Sequence, residues 1–214
     1  MGDPIFDAYY ASTVPAVSAS ADQERAMRSA GVALLDKIGP AVLLTHSRGG
    51  LAGWALADAR PGLVRALLQV EPKGPPFREA LFSTALARPW GLTSIPLTYA
   101  PGPAGDPLEP LGMSTVESDT PLKTDCILQA EPARELSNLK RVPILIVTAE
   151  ASYHAPYDYC VVDFLKQAGC CKVEHLELSN VGIHGNGHLL FLERNSDEIA
   201  EELDKWIHKT VSEL

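Results

Sequence analysis

The sequence has no excess of positive charge. Lys and Arg number 18 against 27 Asp and Glu, a formal net charge of −9 over 214 residues. That balance excludes the basic surface with which a nucleic-acid binder replaces phosphate counterions, and it suits anionic lipid no better. No apolar run reaches the ~18 residues that span a bilayer, so no membrane partner is expected. The start, Met1-Gly2-Asp3-Pro4-Ile5, lacks the basic flank and apolar core of a secretory signal, and Phe6 stands where a myristoylation site needs Ser or Thr. Secreted and cytoplasmic compartments both stay open. Cysteine is scarce: Cys126, Cys160, Cys170 and Cys171 contain no CxxC pair, which argues against a zinc or thioredoxin-type site. A bond such as Cys126–Cys160 has no support from spacing, and thiols without a catalytic role are expected. No G-x-G-x-x-G follows a strand-like run, so a dinucleotide site is excluded.

What is present is ordinary for one globular domain over 1–214: 46% hydrophobic and 21% charged residues. Residues 1–19 read as irregular or partly helical. Ser20 and Gln23 have capping-box spacing, and a helix should follow to about Lys37 with Met27, Leu34, Leu35 and Ile38 on one face, ended by Gly39-Pro40. Ala41 to Thr45 is short and apolar, as in a parallel strand covered on both faces. A sharp turn, a helix over about Gly49–Ala59 and a second apolar strand over Arg65–Val70 complete a βαβ unit. From Lys73 to about Lys140, prolines at 72, 75, 76, 89, 96, 101, 103, 107, 110 and 121 break any long element. The stretch still holds Phe77, Trp90 and Leu92, too apolar for a linker, and reads as a cap inserted between two strands. Strands resume at Val142–Thr148 and Lys172–Glu177, the latter near a sheet edge. Helices are expected over Tyr157–Ala168, closed by Gly169, and over about Asp197–Val211, capped by Asn195.

One constellation carries chemistry. Acyl transfer by a serine needs a protruding hydroxyl, a base to take its proton and a carboxylate to orient the base. In Thr45-His46-Ser47-Arg48-Gly49 the serine lies between a buried strand and a helix, and small residues two before and two after it suit a strained turn. The base belongs late in the chain. Gly185-Asn186-Gly187-His188 offers His188 between tight turns, with His184 as its rival. The remaining histidines at 46, 154, 175 and 208 read as surface or packing residues. In many hydrolases the acid follows the strand that here ends at Thr148, in a Gly-x-x-Asp turn. This chain has Ala149-Glu150-Ala151-Ser152 instead. Glu71, at the end of the strand after the elbow helix, is the favoured acid, with Glu150 and Asp158 as alternatives.

Several stretches together are similar to a known group: Ile38 to Ser47, Val70 to Phe77, Glu150 to Asp158, Gly185 to His188, and Leu192 to Ser196. They resemble a bacterial and fungal family of α/β-hydrolase esterases related to the Alcaligenes-type esterase, whose acid is a Glu. The similarity runs over nearly the whole chain. It implies an α/β-hydrolase fold with Ser47 as nucleophile, Glu71 as acid and His188 as base. The backbone N–H of Arg48, where the family more often has Gln, would serve the oxyanion hole. His46, Phe77, Trp90 and Leu92 would line a pocket for a small-molecule ester. No metal and no organic cofactor is called for.

The family pattern also has several strands before the elbow strand, and an early loop that gives a second oxyanion N–H. Here 40 residues precede that strand, without a strand-like run or a Gly-rich loop. The expectation is therefore the C-terminal portion of the fold, about four mostly parallel strands with flanking helices. A bared edge of that kind favours pairing of two copies as a homodimer. Loss of one oxyanion donor removes about 2.7–4 kcal/mol of transition-state stabilisation. A catalytically impaired hydrolase-like scaffold is thus the alternative to an esterase, and a cofactor-free lyase or haloperoxidase-like reaction ranks below both.

Overall fold

The computed structural model describes residues 2–15, 17–102 and 109–212. Pro103, Gly105 and Pro107 of the Pro-rich stretch lie outside them. The centre is a four-stranded, wholly parallel sheet of β1 (Ala41–His46), β2 (Val64–Val70), β7 (Ile144–Thr148) and β8 (Val173–Glu177), in the order β1-β2-β7-β8. The period of two along β2 sends Leu67 to one face and Ala66, Leu68 and Val70 to the other. The first face is covered by α3 (Gly49–Ala59) and α4 (Asp158–Gln167), with Trp54, Phe164 and Leu165 fully buried. The second is covered by α5 (Ser196–Ser212), whose Ile199, Leu203, Trp206 and Thr210 form a buried stripe at helical spacing. No helix among the described residues is long and apolar enough to cross a membrane.

The insertion between neighbours β2 and β7 contains two short antiparallel pairs. These are β3 (Tyr99–Ala100) with β6 (Glu135–Leu136), and β4 (Met113–Val116) with β5 (Cys126–Gln129). Its large apolar side chains, Phe77, Trp90, Leu92, Leu97 and Leu136 among them, join the same buried cluster as Trp54 and Phe164. Cys126 on β5 and Cys160 on α4 are joined by a disulfide, which corrects the expectation of four thiols; Cys170 and Cys171 are free. Nothing in the spacing along the chain reveals that β5 lies against α4.

The region before the sheet departs most from expectation. The helix α1 (Pro4–Ser12) buries no residue. α2 (Ser20–Ile38) forms as predicted and stops where Gly39 takes φ +84°. Ser20, however, is its first residue and not its cap, and no side chain caps Ala19. Only Leu35 of the expected apolar face is buried; Met27, Leu34 and Ile38 are exposed. The contact stripe is instead the buried Glu24 and Leu35 with the half-buried Gly31 between them. Glu24 accepts hydrogen bonds from the Ser94 and Ile95 N–H groups, and a Cβ at Gly31 would meet Leu56 of α3 at 2.6 Å. β1 is likewise not covered on both faces. It pairs only with β2 among the described residues, and Leu44 is 55% exposed. The Asn195 amide, proposed as the α5 cap, pairs with that of Asn186.

Candidate active site

Ser47 follows β1 with φ +54°, a left-handed conformation that costs a β-carbon-bearing residue strain and here lifts the side chain out of the turn. The turn is tied to β2: Ser47 N–H donates to the Val70 carbonyl, and the Ser47 carbonyl accepts from the Gly50 and Lys73 N–H groups. The steric need for glycine lies one residue later than the sequence suggests. A Cβ at Gly49 would meet only the Thr45 Cβ at 3.8 Å. One at Gly50 would lie 2.7 Å from Pro72, and one at Gly53 2.6 Å from the Gln69 amide.

Glu71 directly follows β2, also at positive φ (+44°), and its carboxylate is fully buried. It accepts from the Ala149 N–H (2.8 Å) and from the Ser152 hydroxyl (2.7 Å). His188 Nδ1 faces the same carboxylate at 2.6 Å, and His188 Nε2 lies 2.9 Å from Ser47 Oγ. With Nδ1–H donating to Glu71, Nε2 is left as the acceptor for the serine proton. Sequence reasoning thus named three residues that the chain brings into one hydrogen-bonded line. Their rivals lie elsewhere: His184 and Glu150 pair with each other at the surface, and Asp158 binds His154.

The loop carrying His188 is held from both sides. Gly185 turns it at φ +77°, the Asn186 carbonyl accepts from Ala151, and the buried Asn186 amide bonds Glu193 and Asn195. Around His188 the aromatic contacts are close. His154 stacks parallel to it, ring centres 4.8 Å apart, and Tyr153 lies 4.9 Å away. His154 Nδ1 is 2.8 Å from Asp158 Oδ1, and Asp158 Oδ2 accepts from Thr148. Burial lowers the His154 pKa to about 3 and pushes the Asp158 carboxyl well above its ordinary range. Burial thus works against an ion pair at this contact and favours the uncharged form of each group.

A cavity of about 270 Å³ opens beside Ser47, lined among others by Arg48, Lys73, Glu79, Leu81, Phe82 and Tyr153. The expected pocket residues are not in that wall. Phe77, Trp90 and Leu92 are 1%, 6% and 3% exposed and belong to the core, Phe77 packing edge-on against Phe164. His46 braces His188 from behind, its Nε2 donating to the His188 carbonyl at 2.9 Å. The Arg48 N–H has no acceptor among the described residues. A larger depression lined by Arg65 and Arg141 lies at the opposite end of β2 and β7. Glu71, His154 and His188 bring one donor atom each within 4.8 Å, a metal-like grouping. Two of those three groups are already bonded to each other.

Sequence reasoning missed Tyr153, and it read Ser152 only as a replaced aspartate, His154 only as a surface or packing residue and Asp158 only as an alternative acid. The one available signal was His154-x-x-x-Asp158, a spacing that places two side chains together at the start of a helix.

Residues 2–202 match the model of the alpha/beta hydrolase family. The chain is 46% identical over 211 residues to a protein named probable secreted lipase phiG from Fungal sp. (strain ATCC 74256). The match covers 98% of this chain and 57% of that one, so the chain spans somewhat over half the relative's length. Among solved structures, a bacterial esterase determined at atomic resolution superimposes with a TM-score of 0.51 at 20% identity, covering 86% of this chain and 42% of the other, which bears on the fold alone. The parallel sheet, the strained turn at Ser47 and the matched residues agree: the chain belongs to the alpha/beta hydrolase family.

Proposed function

We propose that the protein hydrolyses carboxylic esters through an acyl-enzyme on Ser47, in the manner of the Alcaligenes-type esterases with a Ser–Glu–His triad. The observation that carries the reading is His188 bridging Glu71 at 2.6 Å and Ser47 at 2.9 Å. Ser47 Oγ attacks the ester carbonyl while His188 Nε2 takes its proton. Glu71, fixed by Ala149 and Ser152, orients the imidazole and stabilises the imidazolium. In this reading the Arg48 N–H serves as a donor to the developing oxyanion. His188 then gives the proton to the leaving alcohol, and water repeats the sequence in reverse. The insertion acts as the cap: Lys73, Glu79, Leu81 and Phe82 supply the substrate-facing wall. The relative's description as a lipase supports an ester of a carboxylic acid as substrate.

The test is labelling by a fluorophosphonate probe. The wild-type chain is expected to label once, and Ser47→Ala not at all; labelling that persists in the variant rejects the assignment. A second reading, a hydrolase-like scaffold with impaired turnover, is favoured by one observation. Among the described residues before β1 there are α1 and α2 and no strand with a donor loop. Stoichiometric labelling without ester turnover would select it.

A further inference from the structure

The triad leaves one polar group at its reacting end unused. The Tyr153 hydroxyl lies 3.3 Å from His188 Nε2, the nitrogen that also meets Ser47 Oγ. Tyr153 lines the cavity and is 39% exposed, so it approaches Nε2 from the side a substrate enters. Its ring is held between partners: 4.9 Å from His188, 4.5 Å from His154 and 6.4 Å from Tyr157. His154 is itself fixed by Asp158. The phenol is therefore placed by packing on buried neighbours, and its oxygen is not free to wander.

That position has a chemical meaning. After Ser47 attacks, the only mobile proton sits on His188 Nε2, and it must pass to the oxygen of the departing alcohol. The leaving oxygen must then lie within hydrogen-bond reach of Nε2 on its cavity side, where the Tyr153 hydroxyl already is. We infer that Tyr153 is a further catalytic residue, whose hydroxyl hydrogen-bonds the leaving alcohol oxygen during acylation and the attacking water during deacylation. This rests on the ester-hydrolase reading above. In acylation the carbon–alkoxy bond breaks, His188 Nε2–H supplies the proton to the alkoxide oxygen, and the phenol O–H stabilises that oxygen without giving up its own proton. In deacylation water occupies the same place, His188 takes its proton as the water oxygen bonds to the acyl carbon, and the Ser47 Oγ–acyl bond then breaks with His188 returning the proton to Ser47 Oγ. Burial, together with Glu71 and Asp158, raises the Tyr153 pKa above its ordinary value, so the phenol remains a donor at neutral and mildly alkaline pH.

The test compares kcat/KM of wild type and Tyr153→Phe on ethyl butyrate and 4-nitrophenyl butyrate. The acyl group is shared, but only the alkoxide needs help to leave. Loss of one hydrogen bond at that oxygen should lower kcat/KM on the ethyl ester by about tenfold or more, and on the nitrophenyl ester by less than about threefold. Equal loss on both esters, or no loss on either, overturns the role of Tyr153. A wild-type chain that hydrolyses neither ester, or a Ser47→Ala chain that still hydrolyses ethyl butyrate, overturns instead the serine-esterase reading beneath it.

Discussion

The two sides of the sheet are built differently. On the β7 side, the residues behind the site are buried and mutually bonded: Glu71 to Ala149, Ser152 and His188, and Asp158 to His154 and Thr148. On the β1 side, Leu44 is half bare, α1 buries nothing, and α2 contacts the body chiefly through Glu24, Gly31 and Leu35. Ser47 belongs by sequence to the open side, at the end of β1. Its geometry is nevertheless set by the closed side, because its N–H and carbonyl are bonded to Val70 and Lys73. A serine can thus sit on a sheet edge and still be held in a strained conformation, provided that the strain is anchored to a central strand.

The sharpest way to break this contrast is to remove the charge at its centre. Glu71→Gln keeps the shape but presents His188 with an amide able to stabilise the wrong tautomer. Turnover is expected to fall by roughly 10³–10⁴-fold. Ser152→Ala removes one of several bonds to the carboxylate and should cost on the order of tenfold. Steady-state kinetics on one ester decide the matter. A larger loss for Ser152→Ala would mean that the acid had been misplaced.

The next test concerns stability. Phe164→Ala, fully buried against Phe77, is expected to destabilise the fold by about 3–5 kcal/mol, and Leu44→Ala on the open edge by less than about 1 kcal/mol. Urea unfolding of the two variants measures the difference. Equal losses would show that β1 is covered in solution by something the described residues do not include.

The same contrast explains what could be read from sequence. Ser47, Glu71 and His188 were legible because each carries a local mark: a small-x-Ser-x-Gly turn, a carboxylate ending a buried strand, and a histidine behind a Gly-Asn-Gly turn. β8 was expected at an edge and lies there. The burial of β1 was misjudged because an apolar run reports what a strand could bury, not whether a neighbour exists to cover it. The pocket was misplaced for a related reason. Phe77, Trp90 and Leu92 have the composition of either a lining or a core, and only packing assigns them to the core. Ser152 looked like a lost aspartate until its hydroxyl was found on Glu71. The apolar face of α2 was misread because its true contact stripe contains a glycine and a buried glutamate, which a hydrophobic pattern cannot flag.

The smallest expected effect is a dependence of stability on pH, and it isolates the buried pair behind His188. His154, with its pKa lowered to about 3, stays neutral in the folded chain where the unfolded chain takes up a proton below about 6.5. By itself this makes stability fall as pH drops through that window. Asp158 acts in the opposite sense: its raised pKa keeps a proton on the folded chain that the unfolded chain has released above its ordinary value. Between roughly 3.9 and 6.5, with Asp158 protonated and His154 neutral in the folded chain, the two contributions cancel, since each state then holds one proton on the pair. Asp158→Asn removes one side of the balance and leaves His154 buried, desolvation being the chief cause of its lowered pKa. Relative to wild type, the variant should lose up to about 1.4 kcal/mol of stability for each pH unit between roughly 6.5 and 3.9. Parallel urea titrations of both proteins at several pH values measure it. Coincident slopes would mean that His154 takes up a proton in the folded variant as readily as in the unfolded one, and that burial does not hold it neutral.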